Sequence, residues 1–215
     1  MNFAGADTSR TSRCPVFEAL QFDNCVGLEA FLCLFRLTLA PPTMRLTTLT
    51  LTDVDWVRLA ELTTLWRVVS PSLLDLTFNP WSLMFVKGLE HFAATDLLPV
   101  IDLSQFTRLT TLTLTFSREI PDVDDSVWVV ASRILTRLVG HPSVRRVTLQ
   151  ITIRFPLQVD VRANESEGTN DRVQDAVLKL RAQQVEVVIV DGGSGDDYIA
   201  PGYLAILFPR ILSSA

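Results

Sequence analysis

The octapeptide Arg45-Leu-Thr-Thr-Leu-Thr-Leu-Thr52 recurs residue for residue as Arg108-Leu-Thr-Thr-Leu-Thr-Leu-Thr115, 63 positions later. Chance rarely gives identity over eight varied positions, so the chain carries an internal repeat, the mark of stacked supersecondary units. The surroundings of the two copies agree as well. Each is followed by an acidic patch and a tryptophan (Asp53-Val-Asp-Trp56; Asp122-Val-Asp-Asp-Ser-Val-Trp128), then by apolar residues at helical spacing. Pro-Ser (Pro71-Ser72; Pro142-Ser143) and a second apolar strand come next. The unit is therefore strand, helix, strand. Within it Leu49 and Leu51 alternate with Thr48, Thr50 and Thr52, a period-two pattern that gives one apolar sheet face and one face of hydroxyls.

Outward from the octapeptide, apolar residues recur at relative positions 0, +3 and +5, the L-x-x-L-x-L core of a leucine-rich repeat. The matches are Phe17/Leu20/Phe22, Leu46/Leu49/Leu51, Leu73/Leu76/Phe78, Leu109/Leu112/Leu114, Val144/Val147/Leu149 and Val185/Val188/Val190. The first continues with Asn24-Cys25 and Leu28, which puts Cys25 at the N/C position of the longer consensus. Starts at 17, 46 and 73 lie within ordinary repeat lengths, whereas those at 109, 144 and 185 follow longer steps. The excess is expected as loops over Phe116 to Asp122 and Leu157 to Thr169. Leu34/Leu37/Leu39 stands too close to the next start to be a strand, so Gly27 to Leu37 reads as a helix stopped by Pro41-Pro42. Further helices are expected over Val54 to Val69, Ser82 to Ala94, Asp125 to Val139, Arg172 to Gln184 and Tyr203 to Leu212. Asp53 or Asp55 and Asp124 or Asp125 are placed to cap helix N-termini.

Strand-helix-strand units imply parallel strands, and parallel sheets covered on both faces read as continuously apolar runs. These alternate instead. The expected fold class is thus α/β, a leucine-rich-repeat-like solenoid with parallel strands on the concave face and helices on the convex face. Its floor would carry Thr48, Thr50, Thr52, Asp75, Thr77, Thr111, Thr113, Thr115, Arg146, Thr148 and Gln150, and this floor is expected to bind a protein partner. Val187 and Ile189 would then face outward from the last strand, either as an apolar contact patch or, the preferred reading, with Tyr198 to Leu212 covering that end. The organisation expected is a flexible segment over 1–16, the repeat domain over 17–191, and an acidic Gly-rich turn with a capping segment over 192–215.

The Cys25-bearing first repeat, the twin Arg-Leu-Thr-Thr-Leu-Thr-Leu-Thr strands and the tryptophan-led helices resemble the leucine-rich-repeat portions of F-box proteins, over roughly Phe17 to Asp191. The resemblance implies a substrate-recognition arm of a cullin-type ubiquitin-ligase adaptor. Only sixteen residues precede Phe17, too few for an F-box helix bundle, so a ligase subunit is implied as partner only if an F-box equivalent is supplied elsewhere. The first repeat also reads as under-capped, as a fragment would.

Composition narrows the remaining classes. Nineteen basic against twenty-four acidic residues leave a net charge of −5, which argues against nucleic acid or an anionic membrane as partner. Mean hydropathy is +0.29, yet charges interrupt each apolar stretch before it reaches the length of a membrane span. No signal peptide is read at the start, and Cys14, Cys25 and Cys33 fit reduced thiols in a cytoplasmic or nuclear protein, leaving the sequon at Asn164 idle. No G-x-S-x-G elbow, H-E-x-x-H helix or paired C-x-x-C occurs, so no catalytic residue, metal or cofactor is expected. His91 and His141 are the two histidines, and His141 in Gly140-His-Pro142 reads as a cap for helix-end carbonyls. The loop Asp191-Gly-Gly-Ser-Gly-Asp-Asp197 lacks phosphate-binding spacing and any lysine, and reads as a turn. Trp56, Trp66, Trp81 and Trp128 read as core, and Cys25 as inert. The competing function is a small α/β enzyme with a site beyond the strand C-termini. It would need the strand order to reverse somewhere, since that reversal opens the crevice.

Overall fold

The structure, a computed structural model, describes residues 18–23, 46–52, 65–79, 102–119, 126–154, 167–191 and 208–212. Among the described residues six strands form one sheet: β1 (Ala19–Asp23), β2 (Thr48–Thr52), β3 (Asp75–Phe78), β4 (Thr111–Glu119), β5 (Arg146–Arg154) and β6 (Glu186–Asp191). They pair in chain order, β1-β2-β3-β4-β5-β6, and each pairing is parallel. The described helices are α1 (Ser126–Leu138), α2 (Glu167–Ala182) and the single turn α3 (Pro209–Leu212), beside helical residues 65–69 and a 3₁₀ turn over Leu103–Gln105. No described helix is long and apolar enough to cross a membrane.

Register stacks the repeated leucines in rows. Leu20, Leu49, Leu76, Leu112, Val147 and Val187 stand abreast, and Phe22, Leu51, Phe78, Leu114, Leu149 and Ile189 form the next row. Helix α1 supplies Val130, Ala131, Ile134, Leu135 and Leu138 to the same core, and α2 supplies Val173, Ala176, Val177 and Leu180. Both sets fall at the i, i+3/i+4 spacing of an amphipathic stripe. Burying each large apolar side chain contributes about 1.5–3 kcal/mol, so these rows dominate the fold's favourable energy. Trp66 lies edge-on to Phe78 and Phe106, at 6.5 and 5.5 Å, and Trp128 sits between Phe116 and Phe208, at 5.4 and 5.3 Å. Both tryptophans are core, as read from the sequence.

A backbone device explains why the first two leucines of a unit are three residues apart. Thr47 and Thr48 N–H both donate to the Glu18 carbonyl, Leu74 and Asp75 to that of Thr47, Thr110 and Thr111 to that of Leu74, and Arg145 and Arg146 to that of Thr110. Two residues thus face one, as in a bulge. An odd spacing would place its ends on opposite faces of a plain strand, but the bulge brings both inward: Leu46, Leu73, Leu109 and Val144 are fully buried. In the twin octapeptide the first threonine reinforces this bulge, Thr47 Oγ1 donating to the Glu18 carbonyl at 2.9 Å and Thr110 Oγ1 to that of Leu74 at 3.0 Å.

The last strand departs from the expectation because the bulge is missing there. Glu186 N–H alone donates to the Arg145 carbonyl, while Val185 N–H turns back to Leu180 at 3.1 Å. Gln184 N–H donates to Arg181 with its own φ at 63°, so α2 ends in a Schellman closure. Plain alternation follows. Val185 and Val187 are buried and Ile189 packs on the core, while Val188 and Val190 face outward, reversing the expected sides of all four strand positions. Two more expectations are corrected. Phe116 to Glu119 is no loop but the second half of β4, held by pairing with Ile151 to Arg154 and by burial of Phe116 against Ile151 and Trp128. Helix α2 begins at Glu167, so the expected loop to Thr169 and the start at Arg172 are both late. Gly168, Thr169 and Asn170 are poor helix formers carried by continuity with the apolar stripe beyond them. The helices expected over Gly27 to Leu37 and Ser82 to Ala94, and most of Val54 to Val69, lie outside the described residues.

Candidate interaction surface

On the face opposite the core, the alternate residues form three rows. In the middle row Thr50, Thr77, Thr113 and Thr148 stand abreast on four adjacent strands, with Gln21 before them and Val188 after. Neighbouring strands are about 4.8 Å apart, so the hydroxyls repeat at that interval. Towards the strand starts run Thr48, Asp75, Thr111, Arg146 and Glu186, and towards the strand ends Thr115, Gln150 and Val190, with Thr52 closing β2 opposite Asp23. All eleven floor residues expected from the sequence thus share one face. Arg146 and Gln150 are exposed and the other nine are half-buried, so no described helix seals them.

The rows differ in chemistry. Thr50, Thr77, Thr113 and Thr148 are the central lane, where each hydroxyl can donate and accept. Arg146 Nε approaches Glu186 at 3.8 Å with both side chains more than half exposed, a pair that contributes little stability but leaves opposite charges beside Thr111. Asp75 adds an acid two strands away. Thr115 differs from the rest: its hydroxyl is buried without a hydrogen-bond partner among the described residues, so it offers the surface no donor. Val190, 41% exposed, and Val188 give the β6 end an apolar margin that the sequence reading had assigned to Val187 and Ile189.

A cavity of about 690 Å³, away from the threonine face, was not expected from the sequence. It lies where the 3₁₀ turn before β4 meets the end of α1, and its walls include Asp102, Ser104, Thr107, Arg137, Gly140 and His141. Asp102 caps the turn, accepting from Ser104 N–H, from Ser104 Oγ and from Gln105 Nε2, and these side-chain bonds hold its carboxyl below the ordinary value of 3.8. The signal in the sequence was Asp102-Leu-Ser104, an Asp able to bond backbone two residues on. His141 does not cap its own helix through its ring. Its Nε2 meets the Leu103 carbonyl at 3.2 Å and its Nδ1 meets Ser143 Oγ at 3.3 Å, and Gly140 just before it has φ 85°. Among the described residues no three His, Cys, Asp or Glu side chains gather as a metal site would require.

Cys14, Cys25, Cys33, His91, Trp56, Trp81, Asn164, the acidic caps at 53, 55, 124 and 125, and the loop beyond Asp191 lie outside the described residues. No protein-family description, curated protein or solved structure matches this chain.

Proposed function

We propose that this chain is a leucine-rich-repeat-like solenoid acting as a non-enzymatic interaction module, with a protein partner seated on the threonine lane of the sheet. The observation that carries the reading is the unbroken strand order together with a half-exposed hydroxyl face. Strands laid down in sequence leave an extended surface free for partners, which is how stacked-repeat proteins are commonly used. The same order supplies no switch point, so it speaks against the crevice of a doubly wound enzyme. The finer reading, a substrate-recognition arm like those of F-box adaptors with an F-box equivalent supplied elsewhere, rests on repeat style alone.

Affinity capture tests the module. The full chain is compared with a Thr50→Arg/Thr113→Arg variant whose thermal melt matches it. Proteins retained by the first and lost, at least tenfold, by the second mark the lane as a binding surface. Identical recoveries would remove it. An F-box-docking subunit missing from the recovered set would remove the adaptor version.

A further inference from the structure

The joint ahead of β5 departs from the one ahead of β3. Ser72 Oγ, before β3, donates to the Leu46 carbonyl at 2.8 Å and closes that joint directly. Ser143 stands at the same place before β5, yet its hydroxyl meets His141 Nδ1 at 3.3 Å instead of the equivalent carbonyl of Leu109. The imidazole is the link here, its Nε2 lying 3.2 Å from the Leu103 carbonyl. A carbonyl only accepts, so Nε2 carries the proton and Nδ1 accepts from the serine. Both ring nitrogens are thereby spent on holding a wall, and Gly140 N–H is taken by Gln183 Oε1 at 2.8 Å.

Beside that ring lies the cavity of about 690 Å³, within the roughly 300–1,000 Å³ of small-molecule sites. Its lining carries charges of both signs. The bonds from Ser104 and Gln105, and after them the Arg137 charge, keep the Asp102 carboxyl ionised, and its Oδ2 accepts from Gln105 with a lone pair to spare. Arg137 brings a guanidinium whose five N–H donors exceed what one acceptor can take. Leu103, Val139 and Pro142 add apolar wall. A purely anionic ligand would meet the Asp102 carboxylate, and a purely cationic one the Arg137 guanidinium. A ligand with both charges suits both. The geometry points to this cavity as the binding site of a zwitterionic small molecule, a free amino acid or dipeptide with an apolar side chain, its ammonium on Asp102 and its carboxylate on Arg137. Guanidinium and carboxylate pair through two parallel hydrogen bonds, which fixes the orientation of such a ligand. The site is away from the threonine face and stands whether or not a partner uses that face.

The probes are L-leucine and glycyl-L-leucine, followed in ¹H–¹⁵N spectra of the full chain. At least one of them is expected to give saturable shifts at roughly millimolar concentration, centred on the amides of Ser104, Thr107 and Gly140. N-acetyl-L-leucine keeps only the carboxylate and L-leucinamide only the ammonium, and each should bind at least tenfold more weakly than the better zwitterion. Arg137→Gln, and Thr107→Trp, which puts bulk at the cavity's exposed rim, should each weaken binding at least tenfold. No saturable shift with either zwitterion, shifts centred on the threonine lane, or equal binding of a single-charge analogue overturns the inference. So does undiminished binding to both folded variants. Should a variant lose its cooperative melt, the analogue comparison on the unaltered chain decides.

Discussion

The threonines of an octapeptide strand have different tasks, although they are chemically identical. Thr110 sends its hydroxyl to the Leu74 carbonyl, whereas Thr113, three residues on, stands in the lane with no side-chain bond to another described residue. Replacing each by the near-isosteric valine separates structure from surface. Thr110→Val is expected to cost about 0.5–1.5 kcal/mol in urea unfolding, the usual net contribution of one hydrogen bond. Thr113→Val should stay within about 0.5 kcal/mol. Equal effects would mean that the bulge does not rely on that hydroxyl. The sequence showed both threonines and placed Thr113 on the floor. It could not show the bulge bond, because a hydroxyl reaching a carbonyl 36 residues away leaves no periodic trace.

Among the elements, the starts of β1 to β5 were legible and the two sides of β6 were not, for one reason. A match at 0, +3 and +5 assumes the bulge, and Val185-Glu-Val-Val-Ile-Val190 satisfies that spacing and plain alternation equally well. The three-residue connection from Ala182 to Glu186, shorter than the seven from Leu138 to Arg146, selects alternation. A charge placed on either side of the strand reads out the choice. Val187→Asp buries an unpaired carboxylate and should cost about 3 kcal/mol or more, a large drop in melting temperature, while Val190→Asp should change stability by about 0.5 kcal/mol or less. The opposite ranking would restore the register first expected. Helix α1 was legible to within one residue at each end because its apolar stripe starts and stops with the helix. The 3₁₀ turn over Leu103–Gln105 was missed because three residues are too few for a period to register.

At the scale of the molecule, protection should follow the number of strands flanking each one and the length of pairing. β4 and β5 pair over nine residues and each has a strand on both sides, whereas β1 pairs over five and has one strand neighbour among the described residues. Native-state hydrogen exchange is therefore expected to be slowest in Leu112, Leu114, Val147 and Leu149 and fastest in Ala19 to Asp23. Uniform exchange along the sheet would contradict a core centred on β4 and β5. The layering was readable because alternation, period and Pro-Ser punctuation all agreed. The seat of α3 on α2 was not, since its parts come from segments some thirty residues apart. The order of the strands carries one more consequence. The octapeptides sit in β2 and β4, and Pro-Ser-Φ-x-x-Φ-Thr-Φ sits in β3 and β5, so two strand types alternate. The seam between β3 and β4 uses the same paired donors as the seam between β2 and β3. Unequal crossing-over between the identical stretches would therefore add or excise a 63-residue cassette in frame, leaving every remaining handshake intact and widening or narrowing the hydroxyl lane by two strands at a stroke.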